Sequence, residues 1–131
     1  MLRILEQQDD TAYKDLIAGL ALPEYTLLHI SEAIEPDGVK GYILYSYSRE
    51  EVTVWALDDG GDLNYCDGLV RSVLFKAELK GLERAVFMVN NAVMRTRLKT
   101  LRFVQNDENI LENIADIMDS CKSCKENRAT T

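Results

Sequence analysis

Residues 51–89 read EVTVWALDDGGDLNYCDGLVRSVLFKAELKGLERAVFMV, and their pattern decides the fold. In EVTVWALD, Val52, Val54 and Ala56 alternate with Trp55 and Leu57, so both faces are apolar and the segment reads as a central strand rather than an edge. Leu69, Val70, Val73, Leu74 and Ala77 recur at helical spacing, which predicts a helix from Asp67 to Lys80, with Gly81 as the C′ residue that ends it. RAVFMV, 84–89, is a short buried strand. A strand, a turn over glycines, a helix and a second strand predict two neighbouring parallel strands with the helix crossing between them. Such a turn often cradles a phosphate, because the N–H groups at a helix start attract anions. Here, however, the turn carries Asp58, Asp59, Asp62 and Asp67, and the first cation after it is Arg71.

Working outward, Leu2–Leu5 suggests a first strand, and Tyr13, Leu16, Ile17 and Leu20 mark one face of a helix capped by Asp10 or Thr11 and stopped at Pro23. YTLLHISEAI (25–34) and GYILYSYS (41–48) read as strands, joined by the Pro36-Asp37-Gly38 turn. Downstream, NAVMRTRLKTLRF (91–103) is helical, with Met94, Leu98 and Leu101 inward. The spacing of Ile110, Leu111, Ile114, Ile117, Met118 and Cys121 predicts one amphipathic helix from Asp107 to Cys121. Its apolar face is expected against the domain or against a second copy in a homodimer. The whole is an α/β (α+β) chain, a mixed central sheet flanked by helices, read as one domain over 1–131 with a flexible tail at about 122–131.

A formal charge of −7 argues against nonspecific nucleic-acid binding and against docking on anionic membranes. No apolar run reaches the roughly 20 residues of a membrane span, and three cysteines do not make a secreted disulfide framework. The expectation is a soluble, cytoplasmic protein.

The stretch from Gly41 to Phe103 resembles the GNAT superfamily of acyl-CoA-dependent N-acyltransferases. The resemblance is carried by the hydrophobic central strand, the loop and the helix Leu69…Ala77-x-x-x-Gly81, the strand RAVFMV, and the helix Asn91…Leu101-Arg102-Phe103. It implies acetyl-CoA or another acyl-CoA lying between splayed strands, against Leu57, the turn residues Asn64, Tyr65, Cys66, Asp67 and Gly68, and Asn91. It also implies a small-molecule or protein amine as acceptor. The family's loop motif, Gln/Arg-x-x-Gly-x-Gly/Ala, counted back from Gly81 falls on Gly61, Asn64 and Cys66, and none of the three matches. Asn64 can adopt a left-handed conformation. Asp67 is expected to cap the helix with its own charge, taking donors that a pyrophosphate needs. The helix position where many members carry a proton-donating Tyr is Leu98, which leaves Cys66, Tyr65 or water as the acid. Weak binding of acyl-CoA, or none, is expected.

Of the strand-end carboxylates, Glu51 and Asp58 are weak candidates for a general base towards an amine; with Asp59 they read more simply as solvated charges. Cys121-x-x-Cys124 lacks two further nearby ligands, so no metal site is expected. Arg95, Arg97, Lys99 and Arg102 read as a solvated basic helix face, and His29 and the tyrosines Tyr42, Tyr45 and Tyr47 as structural. Two functions remain open: an N-acetyltransferase, or a catalytically degenerate GNAT-like domain serving regulation or protein interaction. A third reading sets the resemblance aside and leaves a small α/β interaction domain.

Overall fold

The computed structural model describes residues 2–105 and 109–118. Six strands form one mixed sheet in sequence order: β1 (Arg3–Gln7), β2 (His29–Glu35), β3 (Gly38–Tyr47), β4 (Glu51–Asp58), β5 (Arg84–Phe87) and β6 (Ile110–Leu111). The first four are an antiparallel meander, β5 runs parallel to β4, and β6 closes the edge antiparallel to β5. Helix α2 (Leu63–Leu79) provides the crossover between β4 and β5.

Two apolar clusters lie on opposite faces of the sheet. The larger gathers Ile43, Tyr45, Val52, Val54 and Leu57 under the α2 side chains Cys66, Leu69, Val70, Val73, Leu74 and Ala77, together with Leu98 and Ile114. The smaller packs Tyr13, Leu16, Ile17 and Leu20 against Ile30, Leu44, Tyr42 and Ala56. Strict alternation along β4 therefore fails. Leu44 pairs with Ala56 but Tyr45 pairs with Val54, which leaves Trp55 as an extra residue in a bulge. Leu57 joins Val52 and Val54 on one face, and Ala56 crosses to the other.

Several local expectations are corrected. The cap of α2 is Asp62, whose side chain accepts from the Asn64 N–H; Asp67 lies a turn inside the helix and pairs with Arg71 at 2.9 Å. Asn64 is helical, and the left-handed residues of the turn are Gly60 (φ +62°) and Gly61 (φ +88°). The first helical segment is short, a 3-10 turn Thr11–Tyr13 followed by α1 (Lys14–Ala18), and Asp9 rather than Asp10 or Thr11 accepts from the Thr11 N–H. Strand β2 starts at His29, not at Tyr25, which sits at φ +63°.

The expected helix from Asp107 is also corrected. Ile110 and Leu111 pair with Val86 and Ala85, and helical residues are 114–118, with Ile114 fully buried. Helical spacing of the apolar residues was satisfied equally by a strand followed by a helix, and the open edge of β5 decided between them. The expected tail at 122–131 and the Cys121-x-x-Cys124 pair lie outside the described residues. Among the described residues, no helix is long and apolar enough to cross a membrane.

Candidate functional site

The ladder between β4 and β5 ends where the bulge begins. Its last rungs are the Val54–Phe87 pair and the bond from the Met88 N–H to the Val54 carbonyl at 2.7 Å. Beyond them the chains part. Trp55, Ala56 and Leu57 from β4 and Met88, Val89, Asn90 and Asn91 from the segment after β5 line a slot of about 240 Å³, closed on one side by Leu16, Leu20 and Tyr42. Asn91 caps α3 (Ala92–Thr100) by accepting from the Val93 and Met94 N–H groups. A second groove of about 510 Å³ adjoins it, since Trp55 and Met88 line both. Ser46, Thr53, Glu51 and the loop from Pro23 to Leu27 form its other walls. The bulge is pinned from this side: the Trp55 indole N–H donates to Ser46 Oγ at 2.8 Å.

Of the residues expected around a cofactor, the structure brings Leu57 and Asn91 to the slot. The others form the first two turns of α2, away from it. Asn64 is exposed and Tyr65 half-buried, whereas Cys66 is in the core, where burial and the nearby Asp59 push its thiol up to about 12. A thiol so held does not serve as an acid or nucleophile near neutral pH. Gly68 faces β1: a Cβ there would come 2.9 Å from Ile4 Cδ1, so this glycine serves helix–sheet packing. Glu51 rims the groove, but its Oε1 accepts from Arg84 Nη2 at 2.7 Å and Nε at 3.0 Å. Asp58 is exposed and accepts from the Gly60 N–H at 2.9 Å. Leu98 is buried in the core. Tyr42 is a slot residue that sequence reasoning assigned to packing; burial and the charge of Asp58 raise its phenol above the usual range.

Of the strand-end carboxylates expected to be solvated, Asp58 is exposed and Asp59 is not. Asp59 is 0% exposed. Its Oδ1 accepts from the Gly61 N–H at 2.9 Å and from the Arg97 guanidinium of α3, while its Oδ2 has no hydrogen-bond partner among the described residues. Four further N–H groups of the turn are engaged internally. The Asp62 N–H reaches the Asp59 carbonyl, the Asn64 N–H the Asp62 carboxylate, and the Tyr65 and Cys66 N–H groups the Asp62 carbonyl. The loop motif of the resembled family spans positions 61–66 here, and from Leu63 onward these are already helix. Tested against acyl-CoA, the site therefore divides. The slot suits an apolar arm with amide groups; the turn, with most of its donors occupied, an exposed carboxylate at Asp58 and a half-buried one at Asp62, does not suit a pyrophosphate. No sequence signal marked Asp59 as buried, because its partner lies 38 residues away.

No model of a known protein family matches the sequence, and no curated protein matches it at a significant level. Solved structures do. A ribosomal-protein-alanine N-acetyltransferase from Brucella melitensis biovar Abortus 2308 is 15% identical, with 82% of this chain and 94% of that chain covered and a TM-score of 0.60. A chain of a KacTA–DNA complex is 16% identical, over 94% of this chain and 99% of that one, at a TM-score of 0.62. A ribosomal-protein alanine N-acetyltransferase from Escherichia coli is 13% identical, over 78% and 77%, at 0.54. With the parallel β4–β5 pair, the crossover helix and the splayed slot, these likenesses give the conclusion that the chain has the fold of the GNAT N-acetyltransferases.

Proposed function

We propose that this domain is a GNAT-fold binding module, whose slot takes an extended ligand of apolar and amide character that carries no diphosphate. One observation supports this above the others: the carboxylates of Asp58, Asp59 and Asp62 accept the N–H groups of Gly60, Gly61 and Asn64, the donors a pyrophosphate would use. A phosphate brought to this turn finds most of the donors taken and meets like charge. A pair of like charges at 4 Å costs about 1 kcal/mol in water and about 4 kcal/mol near a protein surface. Two such contacts weaken binding by at least about tenfold, since 1.4 kcal/mol is tenfold. The buried Leu98, standing where a proton donor is common, fits the same reading.

A second reading, an acetyl-CoA-dependent N-acetyltransferase acting on a small-molecule or protein amine, is favoured by one feature. The slot and the larger groove meet at Trp55 and Met88, so a thioester in one would face an amine in the other, with Glu51 on the amine's wall. Titration calorimetry separates the two. Acetylated pantetheine has the thioester and amide arm without phosphates, and it is expected to bind at least as well as acetyl-CoA. Micromolar binding of acetyl-CoA, tenfold or more tighter than acetylated pantetheine, overturns the reading of a slot for ligands without a diphosphate and favours the second.

A further inference from the structure

We propose that the Asp59 carboxylate is an internal ligand, seated in an oxyanion site made by the Gly61 N–H and the Arg97 guanidinium, and that it acts as a latch holding the turn shut. The proposal deepens the reading of the turn given above, and its test is separate from that of the reading.

The seat has the components of an anion site. Gly60 and Gly61 take consecutive left-handed conformations directly after β4, and the Gly61 N–H is thereby directed at the Asp59 carboxylate. Gly60 is held against β3 so closely that a Cβ would lie 2.1 Å from the Lys40 carbonyl oxygen, so the turn cannot swing in that direction. Arg97 reaches in from α3 and supplies the positive charge. What occupies this arrangement is a carboxylate with only half its acceptor capacity used: Oδ1 takes both donors, and Oδ2, fully buried, takes none among the described residues. Buried carboxylates kept for structure alone ordinarily have both oxygens satisfied, because an unpaired one is costly. Asp59 contributes charge to the seat and fills it incompletely. The negative potential it leaves also reaches Cys66, adding to the burial that chiefly pushes that thiol up to about 12.

Removing the internal anion leaves the Arg97 guanidinium, three-quarters buried, and the Gly61 N–H without their shared acceptor, and an added oxyanion then gains what Asp59 gave. The probe is inorganic pyrophosphate. The proteins are the native chain, Asp59→Gly, Asp59→Asn and the double variant Asp59→Gly/Arg97→Gln, followed by titration calorimetry and thermal melting. The native chain is expected to show no binding at millimolar pyrophosphate. Asp59→Gly is expected to bind at least tenfold more tightly than native, and the double variant to lose that gain. Asp59→Asn keeps the shape and the Gly61 bond, so it covers the case in which the glycine variant does not fold; pyrophosphate should raise its melting temperature more than that of the native chain. The latch is overturned if the folded variants bind no better than native, if native already binds as tightly as Asp59→Gly, or if the gain survives in the double variant. Tight binding of acetyl-CoA by the native chain overturns the reading of a slot for ligands without a diphosphate; absence of gain in the Asp59 variants, with native also not binding, overturns the latch alone.

Discussion

The two ends of the sheet hold charge in opposite ways. At the end where β1 finishes and β2 begins, Lys76 Nζ donates to Glu6 Oε1 at 3.0 Å and to Tyr45 Oη at 3.1 Å, and His29 Nδ1 lies 3.2 Å from Glu6 Oε2. Tyr45 Oη is also 2.9 Å from Ser31 Oγ, and the His29 ring stacks on the Tyr45 ring at 5.5 Å. Glu6, Lys76 and Tyr45 each have several partners, and the charged groups keep contact with water. At the other end, Asp59 is enclosed with one cation and one N–H. Shared, half-exposed networks degrade gradually, because each lost contact leaves others and solvent behind. An enclosed carboxylate fails all at once: Asp59 is fully buried, so without Arg97, whose own side chain is a quarter exposed, its charge has nothing to balance it.

The contrast is broken most forcefully at Arg97. Arg97→Ala strands the Asp59 carboxylate, and denaturant unfolding should show a loss of about 3–5 kcal/mol. A loss below about 1 kcal/mol would mean that the enclosed pair is no more critical than a surface one. Next comes Tyr45→Phe, which deprives the buried Ser31 hydroxyl of its partner and Lys76 of an acceptor; the same measurement should show about 1–3 kcal/mol, the cost of an unsatisfied buried group. If Tyr45→Phe costs more than Arg97→Ala, the shared network and not the enclosed pair is the more critical of the two. The smallest effect is pH dependence through Glu6. Burial raises its carboxyl, but the hydrogen bonds from Lys76 and His29 outweigh burial, so the net shift is downward from 4.5. A lowered folded-state value means that the stabilisation is present above 4.5 and is lost as the pH falls through the folded value. For a group in contact with solvent this amounts to less than about 1 kcal/mol. Stability measured from pH 6 down to pH 3 should fall less steeply in Glu6→Gln than in the native chain; equal slopes would remove Glu6 from the network.

What the sequence discloses is the framework, and the reasons are local. The apolar stripe from Leu69 to Ala77 permits only a helix, Gly81 ends it with φ +79°, and Pro36-Asp37-Gly38 turns β2 into β3. What it conceals depends on partners distant in the chain. Ile110 and Leu111 lie at helical spacing from Ile114, yet β5 recruits them as a strand. Asp67 has the residue type of a cap, yet the helix starts a turn earlier because the Asp62 side chain reaches the Asn64 N–H. In the site, Leu57 and Asn91 were legible because they end a strand and open a helix, whereas Tyr42 and Met88 reach the slot only through sheet pairing and the parting of the strands. Asp59 offered no sign of burial, since its counter-charge is on another helix.

The bulge at Trp55 behaves as a phase slip in a two-beat pattern. Before it, even-numbered residues of β4 face α2; after it, odd-numbered ones do, as Val54 and Leu57 show. A chain one residue shorter here would keep its composition and its neighbours in sequence but would have to exchange the destinations of Ala56 and Leu57, or carry the exchange back along the strand to Val52. The register of β4 is thus written in two halves that cannot be compared without a gap, and relatives that lack the extra residue would look, position by position, as though their inside and outside had been swapped.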